Sequence, residues 1–387
     1  MTPAKGRAAR AAAPASGRGR LASSFVRGYR NNNPLVLLVA LALLVPCLLG
    51  LELLFTSGAW SEVSLDHWLR KASDDYVYVS WAVARAKKDP PDEPTLYLLG
   101  GSGARESITS GDALEQAIVK AGGPDTEAYD LGSMNQNFAQ SLAIVDNVPD
   151  TPAVVIVGIN PGRFTSDRGW NQKQAEGREL LLKSDYLREY VTSQSDKYRY
   201  TYTILPGILS YLTSYVQEHK EELLSGELPT RTYGQHRYNV KHIHTVKQKE
   251  AMVEQWKRQR APVFRKHLDY NLAMLEQLLI RARERGVDIV LLELPWNREI
   301  IGDELDFAYE LYKPRVAALA EEFGVPYIDY SAEIPLENGD FHDLSHLVEP
   351  GRVLWERRLA KELVKLLGDD GALGPRGSTG AGETAAP

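Results

Sequence analysis

The chain has 387 residues, 43% hydrophobic and 25% charged, values that exclude a wholly disordered or collagen-like polymer and leave room for a sizeable core. The net charge of −6 hides an asymmetry: residues 1–33 hold Lys5, Arg7, Arg10, Arg18, Arg20, Arg27 and Arg30 and no acid, so the remainder carries −13. An acidic body argues against nucleic-acid binding, which needs a basic face, and the single cysteine, Cys47, excludes an internal disulfide framework and paired-cysteine chemistry.

Residues 1–33 are rich in Ala, Gly, Ser and Arg, lack apolar periodicity and read as a disordered basic tail. From Pro34 to Leu51 the chain is uncharged, and Leu53, Leu54 and Phe55 extend the run beyond Glu52. That is about the length needed to cross ~30 Å of hydrocarbon. Residues 34–55 are expected to form one transmembrane helix, with the basic tail cytoplasmic and the main domain extracytoplasmic. A signal peptide cut near Ser57-Gly58-Ala59 is the competing reading; the apolar run exceeds a usual signal core, which favours a retained anchor.

Residues 56–94 form a connector with helical patterning that ends in the Pro-rich DPPDEP. Four apolar runs then read as buried strands, Thr95–Leu99, Ala153–Gly158, Val287–Leu294 and Val325–Tyr330. Helices fit Gly111–Ala121, Val263–Arg285, Phe307–Phe323 and Arg352–Leu367, with Gly286 and Gly324 as stops. The alternation predicts an α/β domain over residues 95–367 with a parallel sheet. It breaks between residues 163 and 263, read as a helical insertion, patterned at Leu180–Tyr190 and Ile208–Leu224 and placed to cap a site. The Gly-rich residues 368–387 read as a second disordered tail.

In such sheets ligands gather beyond the carboxyl ends of the strands. Ser102 stands there, in LLGGSGARES after the first strand, where flanking glycines permit a tight turn and close approach to the hydroxyl. Asp343 and His346 stand in DFHDLSHLVEP; a serine needs a base to take its proton, and that base needs a carboxylate to fix its tautomer. An Asp three residues before a His on a turn can reach the imidazole locally. Gly132, in YDLGSMNQ, and Asn160, in VVIVGINPGRF, each follow a strand and offer the donors an oxyanion site needs. Arg105, Glu293 and Trp296 are candidate substrate-binding side chains, with Asn297 beside them at the end of the third apolar strand. His342 lacks an acid at the required spacing. His236, His242 and His244 read as a solvated loop rather than a metal site, and no metal or cofactor is expected. Tyr198, Tyr200, Tyr202, Tyr211 and Tyr215 fit either a sugar-stacking wall or helix packing. Lys257, Arg258 and Arg260 read as a solvated helix face.

The order Ser102, Gly132, Asn160, then Asp343-x-x-His346 resembles the four blocks of the SGNH (GDSL-type) hydrolase superfamily, over Thr95–Leu367 apart from the insertion. Block one reads Gly-Gly-Ser where Gly-Asp-Ser is usual, and block three Gly-Ile-Asn-Pro where Gly-x-Asn-Asp is usual. The resemblance implies a three-layer α/β/α sandwich, with Ser102 as nucleophile, Asp343 and His346 completing the triad, and Gly132 and Asn160 with the Ser102 amide as oxyanion donors. An N-terminal anchor on such a domain is similar to the DltD and AlgJ/AlgX groups. The resemblance therefore implies a serine esterase or O-acyltransferase acting on an acylated cell-envelope glycan or lipid-linked substrate, beside a membrane-bound O-acyltransferase. The alternative is a catalytically degenerate domain that serves as a glycan-binding or partner-binding scaffold.

Overall fold

The computed structural model describes residues 34–194, 204–235 and 237–368. The two tails read as disordered, Tyr198, Tyr200, Tyr202 and His236 lie outside these residues, apart from Gly368 at the start of the second tail. The chain divides into two units, Met1–Leu51 and Glu52–Pro387. Helix α1, Pro34–Thr56, carries Pro46 in its interior, and its Leu35–Thr56 stretch is long and apolar enough to cross a membrane.

The second unit is an α/β domain built on one sheet. In chain order its elements begin with α2 (Asp75–Lys88), β1 (Thr95–Leu99), α3 (Ser102–Arg105), α4 (Gly111–Lys120), β2 (Glu127–Asp130), α5 (Phe138–Val145) and β3 (Ala153–Ile159). The stretch that follows is helical: α6 (Arg168–Ala175), α7 (Asp185–Ser193), α8 (Leu205–Glu218), α9 (Lys220–Ser225), α10 (Val246–Gln255), a π-helical turn at Trp256–Arg260 and α11 (Ala261–Arg285). The chain then returns to the sheet with β4 (Asp288–Glu293), α12 (Arg298–Ile301), α13 (Asp306–Phe323), β5 (Tyr327–Ile328) and α14 (Glu349–Leu367).

All five strands are parallel, in the order β2-β1-β3-β4-β5. β1 and β3 are buried along their whole length, as strands covered on both faces must be. Alternate residues feed two separate cores. Tyr97, Leu99, Val155 and Val157 pack with residues of α5, α11 and α13, while Leu96, Leu98, Val154 and Ile156 pack with residues of α4 and α14.

The four strands expected from apolar runs are present, the last only as two residues. The fifth, β2, has no such run: its EAYD alternates half-buried and buried positions at the sheet edge, a two-residue period too short to announce itself. Within the insertion, the patterning at Leu180–Tyr190 does not give a helix from Leu180. Leu180–Leu182 are buried in the core, and α7 starts only after Ser184, whose hydroxyl accepts the Leu187 amide at 3.1 Å. A polar cap outweighs the apolar spacing before it.

Candidate functional site

β1 ends at Leu99, and the chain turns through Gly100 and Gly101 into α3. Gly100 has φ +153°, and a Cβ there would lie 2.6 Å from the Ala104 side chain, so glycine is required at this turn. Ser102 is the first residue of α3, and the Ser102 and Gly103 amides have no intrahelical acceptor.

The loop before α14 comes to the same place. It is closed by a bridge between Phe341 and Leu347 and by the His342 amide, which donates to the His346 carbonyl at 2.8 Å. Within it, Asp343 Oδ1 accepts the Ser345 and His346 amides at 2.9 and 3.0 Å, and Oδ2 accepts His346 Nδ1 at 2.7 Å. His346 Nε2 lies 2.7 Å from Ser102 Oγ. With its Nδ1–H held by the carboxylate, the imidazole turns Nε2 towards the hydroxyl as an acceptor. Burial pushes the Asp343 carboxyl up, but the His346 ring and the two loop amides outweigh it and bring the group down to about 2.

Two further side chains fix this loop. Asn297 donates from Nδ2 to the Asp343 carbonyl at 3.2 Å, and its amide donates to the Leu344 carbonyl at 2.9 Å. Lys249, fully buried on α10, donates to the Phe341 carbonyl at 2.8 Å, the Asn338 carbonyl at 2.9 Å and Asn338 Oδ1 at 2.6 Å. Burial lowers its pKa, and three acceptors satisfy all its donors.

A cavity of about 450 Å³ opens beside Ser102. Its walls include Asn160, Arg163, Trp170, Trp256 and Trp296, with Trp256 and Trp296 meeting edge to face at 6.1 Å. The insertion thus contributes to the cavity through Trp170, Met252 and the π-helical turn. Neither protein-family models nor curated proteins give a match to this chain.

Sequence reasoning and structure meet at Ser102, Asp343 and His346, which converge from opposite ends of the domain. Asn160 and Trp296 line the same cavity. Asn160 Oδ1 accepts the Arg163 amide at 3.2 Å, which turns Nδ2 to within 3.3 Å of where a Gly103 Cβ would stand. Its amide therefore faces the turn that carries Ser102.

Three expectations are corrected. Gly132 offers no free donor, because its amide donates to Asp130 Oδ1 at 3.0 Å. What it provides is space: a Cβ there would lie 2.6 Å from the Arg105 amide nitrogen. Arg105 is not in the cavity wall; it is buried in ion pairs with Asp75 and Glu106, and Glu106 in turn pairs with Arg352 at 2.8 Å. Glu293 is fully buried beneath the sheet end, accepting hydrogen bonds from Tyr312 and Tyr327. Burial raises its pKa to about 7.

Tyr211 and Tyr215 belong to helix packing rather than to a sugar wall: both hydroxyls donate to carbonyls of the connector, at Trp68 and His67. His242 is exposed, but His244 is not simply solvated, since it packs at 4.3 Å on His342, which stacks on Tyr238 at 3.8 Å. Of the basic cluster, Lys257 pairs with Glu254 and Glu304 while Arg260 lines the cavity. Lys249, Trp170 and Trp256 lie outside the strand-end blocks and carry no signal in the sequence, whereas Arg163 stands within the Asn160 block, three residues past Asn160.

Proposed function

We propose that this chain is a membrane-anchored, extracytoplasmic serine acyl-transfer enzyme with an SGNH-like three-layer domain, an esterase or O-acyltransferase acting on a cell-envelope glycopolymer. The observation that carries the reading is the unbroken Ser102–His346–Asp343 relay, with 2.7 Å at each link, opening onto a cavity with aromatic walls. Helix α1 and the basic residues before it support the anchor and its orientation.

In this reading His346 Nε2 takes the Ser102 proton as Oγ bonds to the ester carbonyl carbon, and the carbonyl π pair moves onto oxygen. Asp343 holds the imidazolium that results. The Ser102 and Gly103 amides and Asn160 Nδ2 are the donors for the oxyanion. Collapse restores the carbonyl and expels the alcohol, which receives the proton from His346. A sugar hydroxyl or water then attacks the acyl-serine with His346 again as base, giving transfer or hydrolysis. Trp170, Trp256 and Trp296 suit a sugar ring, whose apolar faces stack on indoles.

The test is turnover of p-nitrophenyl acetate by the full-length protein in detergent, with and without an oligosaccharide acceptor. Release of nitrophenol that Ser102→Ala abolishes is the expected result, and acetylated acceptor would assign transfer. Equal rates for the wild type and Ser102→Ala would overturn the reading and leave a scaffold.

A further inference from the structure

Two buried arginines flank the Ser102 turn, and they are not alike. Arg105 has Asp75 and Glu106 as counter-charges. Arg163, 3% exposed, has no carboxylate partner among the described residues. Its Nη2 donates to Ser141 Oγ at 2.9 Å, its guanidinium lies over the Phe138 ring at 4.4 Å, and its Nε and Nη1 are buried without partners. An unpaired buried charge is costly, and such a group calls for a reason.

Its surroundings give one. Nη1 lies 3.2 Å from where a Gly100 Cβ would stand, two residues before Ser102. Asn160, the side-chain donor of the site, caps the Arg163 amide, and Arg163 lines the same cavity as Ser102. The Gly132 amide, a donor the sequence had offered to such a site, is taken by Asp130. Burial pulls the Arg163 pKa down to about 9, which still leaves it cationic at neutral pH. A fixed charge in a water-poor wall acts on a developing negative oxygen far more strongly than it would in water.

Building on the serine reading above, we propose that Arg163 is a positioning residue of the oxyanion site: its buried positive charge, in place of the Gly132 amide, favours the negative oxygen formed when Ser102 adds to a carbonyl. The counter-ion it lacks at rest is the tetrahedral intermediate.

The test uses the full-length protein and a small alkyl boronic acid. Ser102 Oγ adds to boron as its proton passes to His346, and the tetrahedral boronate that forms is an anion. Arg163→Gln removes the charge while keeping a donor for Ser141, and Arg163→Lys keeps the charge. For Arg163→Gln, boronate affinity is expected to fall by about 100-fold, with KM for a neutral ester within threefold of the wild type. Arg163→Lys is expected to stay within tenfold of the wild type. A loss under tenfold in Arg163→Gln, or an equal loss in both variants, would overturn the proposal, because a purely structural role does not distinguish charge from shape. If Arg163→Gln does not fold, Arg163→Lys decides alone, a loss beyond tenfold counting against the proposal. Failure of the wild type itself to bind boronate would instead sink the serine reading on which this rests.

Discussion

Asp343 and Glu293 are both buried near the carboxyl ends of the strands, and they are held in opposite states. Asp343 accepts two backbone amides and an imidazole N–H and is pulled down to about 2. Glu293 accepts only two phenol hydroxyls in the core and is pushed up to about 7 by burial. Burial is common to both, so burial alone does not set the charge state of either carboxyl. The donors do: amides and an imidazole favour the ionised form, whereas two phenols do not offset the desolvation of Glu293.

This contrast can be broken by substitution. Ser102→Ala and His346→Ala are expected to lower ester turnover by at least about 10⁴-fold. Asp343→Asn is expected to cost on the order of 10³–10⁴-fold, since the imidazole loses its tautomer, while Glu293→Gln stays within threefold in the same assay. Equal losses at the two carboxyls would erase the distinction.

Stability should part them in pH as well. The Asp343 carboxyl sits below its ordinary 3.8, so its contribution, roughly 2 kcal/mol, is complete above about pH 4 and disappears as pH falls towards 2. Glu293 is raised above 4.5, so its contribution is complete below about pH 4.5 and is lost as pH rises through 7. Urea unfolding of Glu293→Gln between pH 4.5 and 8 is expected to show a flatter dependence than the wild type; an unchanged slope would remove Glu293 from the account.

A smaller effect is expected at Asn297, which pins the Asp343 loop from outside the relay. Asn297→Ala should lower turnover by about tenfold and stability by about 1–2 kcal/mol, measured as kcat and as the urea midpoint.

What the sequence revealed follows the same division. The strands β1, β3 and β4 were legible because strands buried on both faces need continuous apolar runs, and Ser102, Asp343 and His346 were legible because their blocks lie at strand ends or within three residues of each other. Arg105 and Glu293 also stand near strand ends, yet their roles turned on partners distant in the chain: Arg105 pairs with Asp75, and Glu293 meets Tyr312 and Tyr327; at Gly132 the amide turns back on the nearer Asp130. Lys249 and Trp256, a hundred residues or so beyond β3, reach the site only through the packing of the insertion. No local pattern announces such contacts.

In the proposed reaction the Ser102 hydroxyl is made reactive by His346 and Asp343. Intact-mass and peptide mass spectrometry of the full-length protein after treatment with a fluorophosphonate tests it most directly, as Oγ bonds to phosphorus, fluoride leaves and the hydroxyl proton passes to His346. One adduct on Ser102, absent from Ser102→Ala and slowed at least about a hundredfold in Asp343→Asn, is the predicted result; no adduct, or one that persists in Ser102→Ala, would contradict it.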